Sequence, residues 1–324
     1  MSNEPTLLQK PLHLAATRFI PPVHRVGGKA YGLYWLAAHG FETPMTWTLT
    51  VDAFDYALQR AKLTTLALDI WRELSQVGES WSDIQAMLER LEPKRAEMVA
   101  QLRKLEMDPR LTTLLHELPR HFYWAVRSSA NVEDNAAYTF AGQFSSHLYV
   151  PTGQMLWEAI RDVWASLFAK EALAYCAQRH TPLPKMAVIL QPTGPITAEH
   201  RSGVVFSHSP IPTFRGTLIQ ATFGMGYTVV EGLGGDLYVV SDGQVTVHPM
   251  RPPRIRITGP LGFTEEAPPP EGLALSEEEA LRLARDVTSI AEQWGRPVDV
   301  EFTWRKGEKP LYVQVRSTTE QKTA

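Results

Sequence analysis

The chain has 324 residues, a length that allows one large domain or two medium ones. Hydrophobic residues make up 44% and charged residues 21%, and the formal net charge of -3 gives no global field that would favour nucleic acid or an anionic membrane. A single cysteine excludes an internal disulfide, and neither a bilayer-spanning apolar run nor a signal peptide is recognisable. We therefore expect a cytoplasmic protein that binds neither nucleic acid nor membrane.

Helical and extended patterns alternate in the first half of the chain. The sequence predicts a helix that opens at Gly27-Gly28-Lys29 and runs to a glycine stop at Gly40, and a strand at 44–51. It further predicts helices over 52–118, strands at 122–126 and 146–150, and an amphipathic helix over 156–167. The charges within 52–118 are interpreted as the solvated faces of its helices.

The second half is richer in short strands. Pro182-Leu183-Pro184 indicates a boundary, so we expect one domain at 1–185 and another at 186–324. Ser276 is followed by three glutamates, which predicts a helix from there to about Trp294, because a serine N-cap and early acids stabilise a helix N-terminus. Glycine and proline separate the predicted strands at 186–190, 203–207, 217–221, 237–241 and 245–247.

The stretch from Ala125 to Asp134, continued at 140–143, combines an apolar strand with small residues. Arg127 sits where the strand is predicted to end, and Ser128 and Ser129 follow it. Small side chains let backbone N–H groups approach an anion, and an arginine adds a planar fork of donors. The stretch fits either a phosphate-binding loop or an ordinary strand–turn–strand.

The segments 298–304 and 311–316 alternate strictly and flank a turn, so they predict a β-hairpin. Its core face would carry Val298, Val300, Phe302, Trp304, Leu311, Val313 and Val315. Its other face would carry Asp299, Glu301, Gln314 and Arg316. Carboxylates two residues apart on a strand lie roughly 7 Å apart on one side, a spacing that can hold Mg²⁺. The alternative is a solvent-facing polar stripe with a surface ion pair.

Two further positions have more than one interpretation. Gly27-Gly28-Lys29 precedes a helix, where free N–H groups and a lysine can bind an anion, but it lacks the spacing of a Walker A loop and also fits an ordinary helix start. Gln191 ends a strand, where a buried amide could contact an adenine edge or satisfy a structural hydrogen bond.

These segments occur together and in one order. In this the chain resembles the N-terminal nucleotide-binding region of the phosphoenolpyruvate synthase and pyruvate phosphate dikinase family, also found in rifampicin phosphotransferases. The resemblance extends from about Gly27 to Thr319. It is carried by Gly27-Gly28-Lys29-Ala30, Val126 to Ala130, Glu133-Asp134, Phe140 to Gln143, Trp164 to Phe168, Met186 to Gln191, Ser202 to Pro210, Gly295 to Glu301, and Gln314-Val315-Arg316.

The resemblance implies an α+β ATP-grasp fold with two lobes and ATP in the cleft between them. The N-terminal lobe at 1–185 would contain a helical insertion at about 52–118, and the C-terminal lobe at 186–324 would contain the metal-binding hairpin. The resemblance implies that Lys29, Arg127 and Arg316 act catalytically on the phosphates. It implies nucleotide contacts from Gly28, Lys29, Arg127, Gly142, Gln143, Gln191 and Gln314. It also implies that Asp299, Glu301 and Gln314 are Mg²⁺ ligands.

The resemblance also implies a dikinase activity, in which ATP gives a diphosphoryl group to a histidine and leaves AMP. No phosphohistidine segment is found before Ala324, so we expect the histidine on a separate partner protein and a small molecule as final acceptor. Gln220 and Tyr227 stand where the family often has glutamate, and Ser317 where it usually has proline. These departures leave open a weakened ATP-grasp module with a nucleotide-binding or regulatory role, and a small-molecule kinase acting alone is a third hypothesis.

Overall fold

The computed structural model divides the chain into two compact units. The first comprises Met1–Tyr34 and Met45–Thr193, and the second comprises Trp35–Pro44 and Gly194–Ala324. Both units combine helices with antiparallel sheet, which confirms the expected α+β class. The ATP-grasp cleft stays a prediction. The structure describes residues 6–11, 19–78, 80–131, 144–179, 184–211, 213–226, 229, 232, 234–259 and 264–318.

The first unit contains a five-stranded sheet and a set of helices. Its strands are β1 (Leu8–Gln9), β2 (Trp47–Leu49), β3 (Tyr123–Ala130), β4 (Ser146–Val150) and β5 (Met186–Thr193). Its helices are α1 (Val23–Val26), α2 (Gly28–Ala38, which continues into the second unit), α3 (Val51–Arg60), α4 (Thr64–Leu74), α5 (Trp81–Arg103), α6 (Pro109–His116), α7 (Gln154–Ser166) and α8 (Lys170–Gln178).

The strands of the first sheet are ordered β1-β2-β5-β3-β4, and all neighbours are antiparallel. One face is apolar and packs into the helical core, to which it contributes Trp47, Trp124, Val126 and Leu190. Residues that alternate with these point to the other face. Because Ala125 pairs with Gln191 and Arg127 with Ile189, Arg127 and Gln191 share that second face.

Local capping explains where two helices of the first unit, α5 and α6, begin. The Ser80 hydroxyl accepts the backbone N–H of Asp83 at 3.1 Å ahead of α5, and the Asp108 carboxylate accepts the N–H of Arg110 at 2.8 Å ahead of α6. Such caps satisfy N–H groups that have no partner within the helix. Across the described residues, no helix has both the length and the sustained hydropathy that a bilayer crossing requires.

The division between the units falls later than the boundary that Pro182-Leu183-Pro184 indicates. Strand β5 pairs with β2 on one side and β3 on the other, at the centre of the first sheet. It therefore belongs to the first unit, and the division falls between Thr193 and Gly194. Proline punctuation indicates where a loop lies, whereas the sheet that a strand joins is decided by pairing with residues distant in sequence.

The second unit contains a six-stranded antiparallel sheet, in the order β13-β12-β6-β7-β8-β9, and a separate two-stranded hairpin. Helix α9 packs on one face of the larger sheet, against which it buries Leu283, Val287 and Ile290. The elements are β6 (Arg201–Phe206), β7 (Thr217–Phe223), β8 (Asp236–Ser241), β9 (Gln244–His248), β10 (Ile255–Thr258), β11 (Thr264–Ala267), α9 (Glu277–Trp294), β12 (Val298–Trp304) and β13 (Leu311–Ser317).

The limits of α9 agree with the sequence prediction. The Ser276 hydroxyl accepts the N–H of Glu279, and the Glu279 carboxylate accepts the N–H of Ser276, which together form a capping box. The helix ends at Gly295, which adopts the left-handed conformation with φ 80°. The predicted start and end of this helix are thus confirmed.

The core face of the predicted hairpin needs one correction. A bulge between Glu301 and Phe302 shifts the register, so that Phe302 lies opposite Tyr312. Tyr312 is therefore buried, whereas Leu311 and Val313, which were expected in the core, are half-buried. Strict alternation fails here because a bulge inserts one extra residue into one strand and reverses the facing of those beyond it.

Candidate functional site

The glycine–lysine segment and the arginine–serine strand lie against each other in the first unit. The Lys29 ammonium group donates to the Ser128 hydroxyl at 3.2 Å, and the backbone N–H of Ala30 donates to the Ser129 hydroxyl at 3.0 Å. Both serine side chains are fully buried. Two segments that are about a hundred residues apart in the sequence thus form one polar cluster at the N-terminus of α2.

Gly27 allows this close approach. Its φ of 79° lies in a region that residues with a side chain rarely adopt. A Cβ atom there would lie 2.1 Å from the carbonyl oxygen of Ser129, far inside van der Waals contact. The glycine is therefore required both by its backbone conformation and by the neighbouring strand.

Arg127 lies inside β3, not at its end as the sequence suggested. The strand continues through Ala130, because Ser128, Ser129 and Ala130 pair with Val188, Ala187 and Met186 of β5. Arg127 itself is half-buried and shares a sheet face with Ser129. The small residues therefore form a buried strand, and their hydroxyl groups, not a loop backbone, contact the start of α2.

The roles of Ser128 and Ser129 were missed, although the sequence singled both residues out. Two adjacent serines in an otherwise apolar strand are the available sign, since buried hydroxyl groups require hydrogen-bond partners. Which partners they find depends on the packing of α2 against the sheet. That information is absent from the local pattern.

Gln191 is buried and makes a structural hydrogen bond. Its amide nitrogen donates to the Thr46 hydroxyl at 3.0 Å, and the Tyr34 hydroxyl donates to the Thr46 carbonyl at 3.2 Å and contacts the Thr48 hydroxyl at 3.1 Å. Burial raises the pKa of Tyr34 far above its usual value, so the hydroxyl stays neutral. The structural role considered for Gln191 is present, and its adenine contact stays a prediction.

Part of the predicted phosphate-binding stretch lies outside the described residues. This applies to Gly142 and Gln143, and also to Glu133 and Asp134 of the same stretch. Their roles remain as the sequence predicted them.

The polar face of the hairpin forms in the second unit. Strand pairing places Asp299 opposite Arg316 and Glu301 opposite Gln314. The Nε atom of Arg316 donates to both carboxylate oxygens of Asp299 at 2.7 Å. Asp299 is only 6% exposed and Gln314 only 5%, so this face is not the solvent-facing stripe that was the alternative.

Gln220 belongs to the same face of the second sheet. Glu301 pairs with Val204 of β6, and Val204 pairs with Gln220 of β7, so the three residues form one row across neighbouring strands. Gln220 is half-buried. This face lies opposite the one that α9 covers, because Val300 and Phe302 of the core alternate with Asp299 and Glu301 along β12.

The sequence comparison identifies this combination of segments. The model of the pyruvate phosphate dikinase AMP/ATP-binding domain family matches residues 23–324. The chain belongs to this family. The AMP/ATP-binding domain accordingly covers both units and nearly all of the sequence.

Curated relatives of this AMP/ATP-binding domain are named rifampicin phosphotransferase or probable phosphoenolpyruvate synthase. The rifampicin phosphotransferase of Bacillus cereus is 29% identical over 293 residues, which cover 86% of this chain and 32% of the relative. Probable phosphoenolpyruvate synthases from Methanocaldococcus jannaschii and Archaeoglobus fulgidus are 28% and 32% identical and match 90% and 64% of this chain. The chain spans between a quarter and a third of the length of these relatives, with 25% of the first synthase and 28% of the second matched.

Ser317, the residue after Gln314-Val315-Arg316, has a defined hydrogen-bond partner. Its hydroxyl accepts the indole N–H of Trp294 at 3.0 Å. Trp294 closes α9 and also makes an edge contact with Trp35, with ring centroids 4.7 Å apart. Ser317 therefore links the end of the hairpin to the last residue of α9.

The donors of the hairpin suit Mg²⁺ in chemical type. The Asp299 and Glu301 carboxylates and the Gln314 amide provide oxygen atoms, which Mg²⁺ prefers as ligands. Within the described ranges, no group of three or more His, Cys, Asp or Glu residues could hold a metal ion. Two carboxylates and one amide match the chemical type of ligand that Mg²⁺ takes in nucleotide sites, where water and substrate phosphates complete its shell.

Proposed function

We propose that this chain is the ATP-binding subunit of a split dikinase. It binds Mg-ATP and transfers a diphosphoryl group to a histidine on a separate phosphohistidine-domain protein, with AMP as the nucleotide product. Water then removes the terminal phosphate as inorganic phosphate, and the partner passes the phosphoryl group left on its histidine to a small molecule, such as pyruvate or a phenol-like acceptor. The names of the relatives support phosphotransfer, and the matched AMP/ATP-binding domain supports ATP as the donor.

The observation that carries this proposal is the junction of the glycine–lysine segment with the arginine–serine strand. Hydrogen bonds to Ser128 and Ser129 hold the N-terminus of α2 beside the strand that carries Arg127. A helix N-terminus, an ammonium group and a guanidinium group are each suited to bind phosphate oxygens. Together they are a set that a polyphosphate chain would engage.

The chemistry needs positioning and charge neutralisation more than covalent work by this chain. A nitrogen of the partner's histidine attacks the β-phosphorus, the bond from that phosphorus to the oxygen shared with the α-phosphate breaks, and AMP leaves. The attacking nitrogen is the one without a proton, and the imidazolium that forms then loses the proton of its other ring nitrogen to water. Lys29, Arg127 and Arg316 would stabilise charge on the phosphate oxygens, and Asp299 keeps Arg316 oriented through both carboxylate oxygens.

Mg²⁺, when bound, would neutralise phosphate charge in this reaction. Asp299, Glu301 and Gln314 are the residues proposed to hold it. Glu301 and Gln314 lie directly opposite each other on β12 and β13, so both can contribute to one ion. Arg316 offsets the charge of Asp299 on the same face.

A transfer assay tests the proposal directly. The chain is incubated with Mg²⁺, ATP labelled at the β-phosphorus, and a purified phosphohistidine-domain protein. We expect AMP to form and an acid-labile label to appear on the partner, because phosphohistidine hydrolyses in acid. Formation of ADP, or AMP without label on the partner, would contradict the dikinase mechanism.

Arg127→Ala is the variant that tests the proposed phosphate site. We expect AMP formation to fall by about 10²- to 10³-fold, the usual effect of removing one group that stabilises transition-state charge. The matched control is Arg120→Ala, since Arg120 is exposed outside β3 and precedes it in sequence. Equal rates of AMP formation in the two variants would show that Arg127 is not part of the phosphate site.

A nucleotide-binding or regulatory module is the second candidate, favoured by Gln220. This half-buried amide occupies the same row as Glu301, at a position where the family often has a carboxylate. Loss of a carboxylate would weaken metal-assisted transfer more than nucleotide binding. Saturable ATP binding without AMP formation would support this candidate, and transfer restored by Gln220→Glu would identify the residue responsible.

A further inference from the structure

A cavity of about 240 Å³ lies among the helices of the first unit. Its walls come from α3, α4, the residues that follow α7 and those that precede β5. The deepest side chains are aromatic: Phe54 and Phe168 are almost fully buried, and Trp71 is 8% exposed. Leu68 lies on the same cavity and is 47% exposed, so the cavity is open to solvent on that side.

The aromatic wall can hold a flat apolar group. The rings of Trp71 and Phe168 have centroids 6.4 Å apart and are tilted by 50°. Pockets for drug-sized ligands have volumes of roughly 300–1,000 Å³, so this smaller cavity suits a molecule of about one or two rings. Aromatic rings pack favourably on one another in tilted and offset arrangements.

A charged pair lines the same cavity. The Lys185 ammonium group forms an ion pair with the Asp55 carboxylate, and the two side chains are 40% and 33% exposed. A ligand carboxylate would be repelled by Asp55, and a ligand ammonium group by Lys185. A hydroxyl group can donate to the carboxylate and accept from the ammonium group, so it matches both members of the pair.

We infer that this cavity binds a small one- or two-ring molecule that carries a neutral hydroxyl group. The ring packs on Trp71 and Phe168, and the hydroxyl bonds to the Asp55–Lys185 pair. The cavity is separate from Arg127, because Phe54, Trp71 and Phe168 belong to the core on the apolar face of the first sheet. Arg127 lies on the other face.

Three probes of matched shape test the ligand class. They are 2-naphthalenemethanol, 2-methylnaphthalene, which lacks the hydroxyl, and 2-naphthoate, which carries a carboxylate. Equilibrium dialysis against the full chain without nucleotide should show the alcohol binding at least about tenfold more tightly than either of the others, as a hydrogen bond to a charged group predicts. Equal affinities, or no binding of the alcohol, would overturn the inference.

A cavity-filling variant tests the location. Ala67 lines the cavity and is 5% exposed, so Ala67→Phe should abolish binding of 2-naphthalenemethanol. Ala86→Phe on the exposed side of α5 is the matched control and should bind as the parent chain does. Unchanged affinity of a folded Ala67→Phe chain would place the probe elsewhere.

A charge variant remains informative if Ala67→Phe does not fold. Asp55→Asn leaves Lys185 without its carboxylate partner, so affinity should fall about tenfold for the alcohol and rise for 2-naphthoate. Asp69→Asn on α4 removes an exposed carboxylate outside the cavity and should change neither affinity. An unchanged order of probe affinities in Asp55→Asn would contradict the role of the ion pair.

Discussion

The Ser128 and Ser129 hydroxyl groups are buried, and both have partners at the start of α2. The bond to Ser128 orients the Lys29 ammonium group, and the bond to Ser129 satisfies the backbone N–H of Ala30 in the first turn of α2. Because the same strand carries Arg127, these bonds fix a lysine and an arginine in one region of the first unit. The proposed phosphate site therefore depends on the packing of Ser128 and Ser129 as well as on the charges of Lys29 and Arg127.

Gly27→Ala tests that packing. Gly27 and Gly153 both have positive φ, at 79° and 88°, and both lie outside the left-handed helical region, so alanine is strained at either site. Only at Gly27 would the new Cβ meet the backbone of Ser129; at Gly153 no atom lies within 4 Å. We expect Gly27→Ala to lower the free energy of unfolding by about 1–3 kcal/mol more than Gly153→Ala, measured by urea denaturation.

The functional readout of the same pair is ATP affinity. Gly27→Ala should also weaken ATP binding, since it displaces the segment that carries Lys29, whereas Gly153→Ala should leave it unchanged. Equal losses of unfolding free energy in the two variants would mean that the contact with Ser129 does not add to the cost of Gly27→Ala.

At the level of elements, helices and strands differ in how far local pattern defines them. Helix α9 begins at its capping box and ends at its left-handed glycine, and both are visible in the sequence. The β12–β13 hairpin keeps its polar pairs, yet the bulge after Glu301 exchanges which residues of β13 enter the core. A bulge has no local sequence requirement strong enough to predict here, because it depends on how both strands pack.

Helices α5 and α8 are joined by an ion-pair group that gives a pH prediction. Hydrogen bonds from Arg95, with further attraction to Lys170, hold the pKa of Glu92 at about 2. Since the folded pKa lies below its ordinary value, this stabilisation is present above about pH 4.5 and is lost as pH falls toward 2. The destabilisation caused by Glu92→Gln should therefore be largest near neutral pH and vanish in acid.

Unfolding free energies measured between pH 7 and about pH 2.5 check this dependence. Glu97→Gln, an exposed glutamate on the same helix, is the control and should cost little at any pH. A Glu92→Gln effect that stayed constant across this range would show that packing, and not charge, accounts for the loss.

At the scale of the whole molecule, each unit carries groups proposed to bind Mg-ATP. Lys29 and Arg127 belong to the first unit, and Asp299, Glu301 and Arg316 belong to the second. Nucleotide that binds either set should stabilise the folded chain. Ligand binding to the folded state adds stability that grows with the logarithm of ligand concentration, about 2.7 kcal/mol at 100 times Kd.

Metal removal tests this expectation. Mg-ATP should raise the unfolding temperature of the full chain, and EDTA should abolish most of the rise, because phosphate charge is no longer neutralised. Glu301→Gln should require more Mg²⁺ for the same shift, whereas Glu308→Gln, in the exposed turn of the same hairpin, should behave as the parent chain. An EDTA-insensitive shift would exclude a metal role for this face.

Local chemistry in the sequence was sufficient for several features. The limits of α9 and the shared face of Asp299, Glu301, Gln314 and Arg316 follow from capping and hairpin geometry, which act over a few residues. The α+β class followed from the family resemblance. The resemblance carried by the order of its segments was also sufficient to place the chain in its family, which the match over residues 23–324 shows.

Features that depend on distant residues needed the folded chain. The place of β5 at the centre of the first sheet, the continuation of β3 past Arg127 and the partners of Ser128 and Ser129 all arise from pairing between segments far apart in sequence. So does the cavity bounded by Trp71, Phe168 and the Asp55–Lys185 pair. The physical reason is that strand register and side-chain packing are settled by contacts across the whole core, whereas helix caps and strand alternation are settled by neighbouring residues.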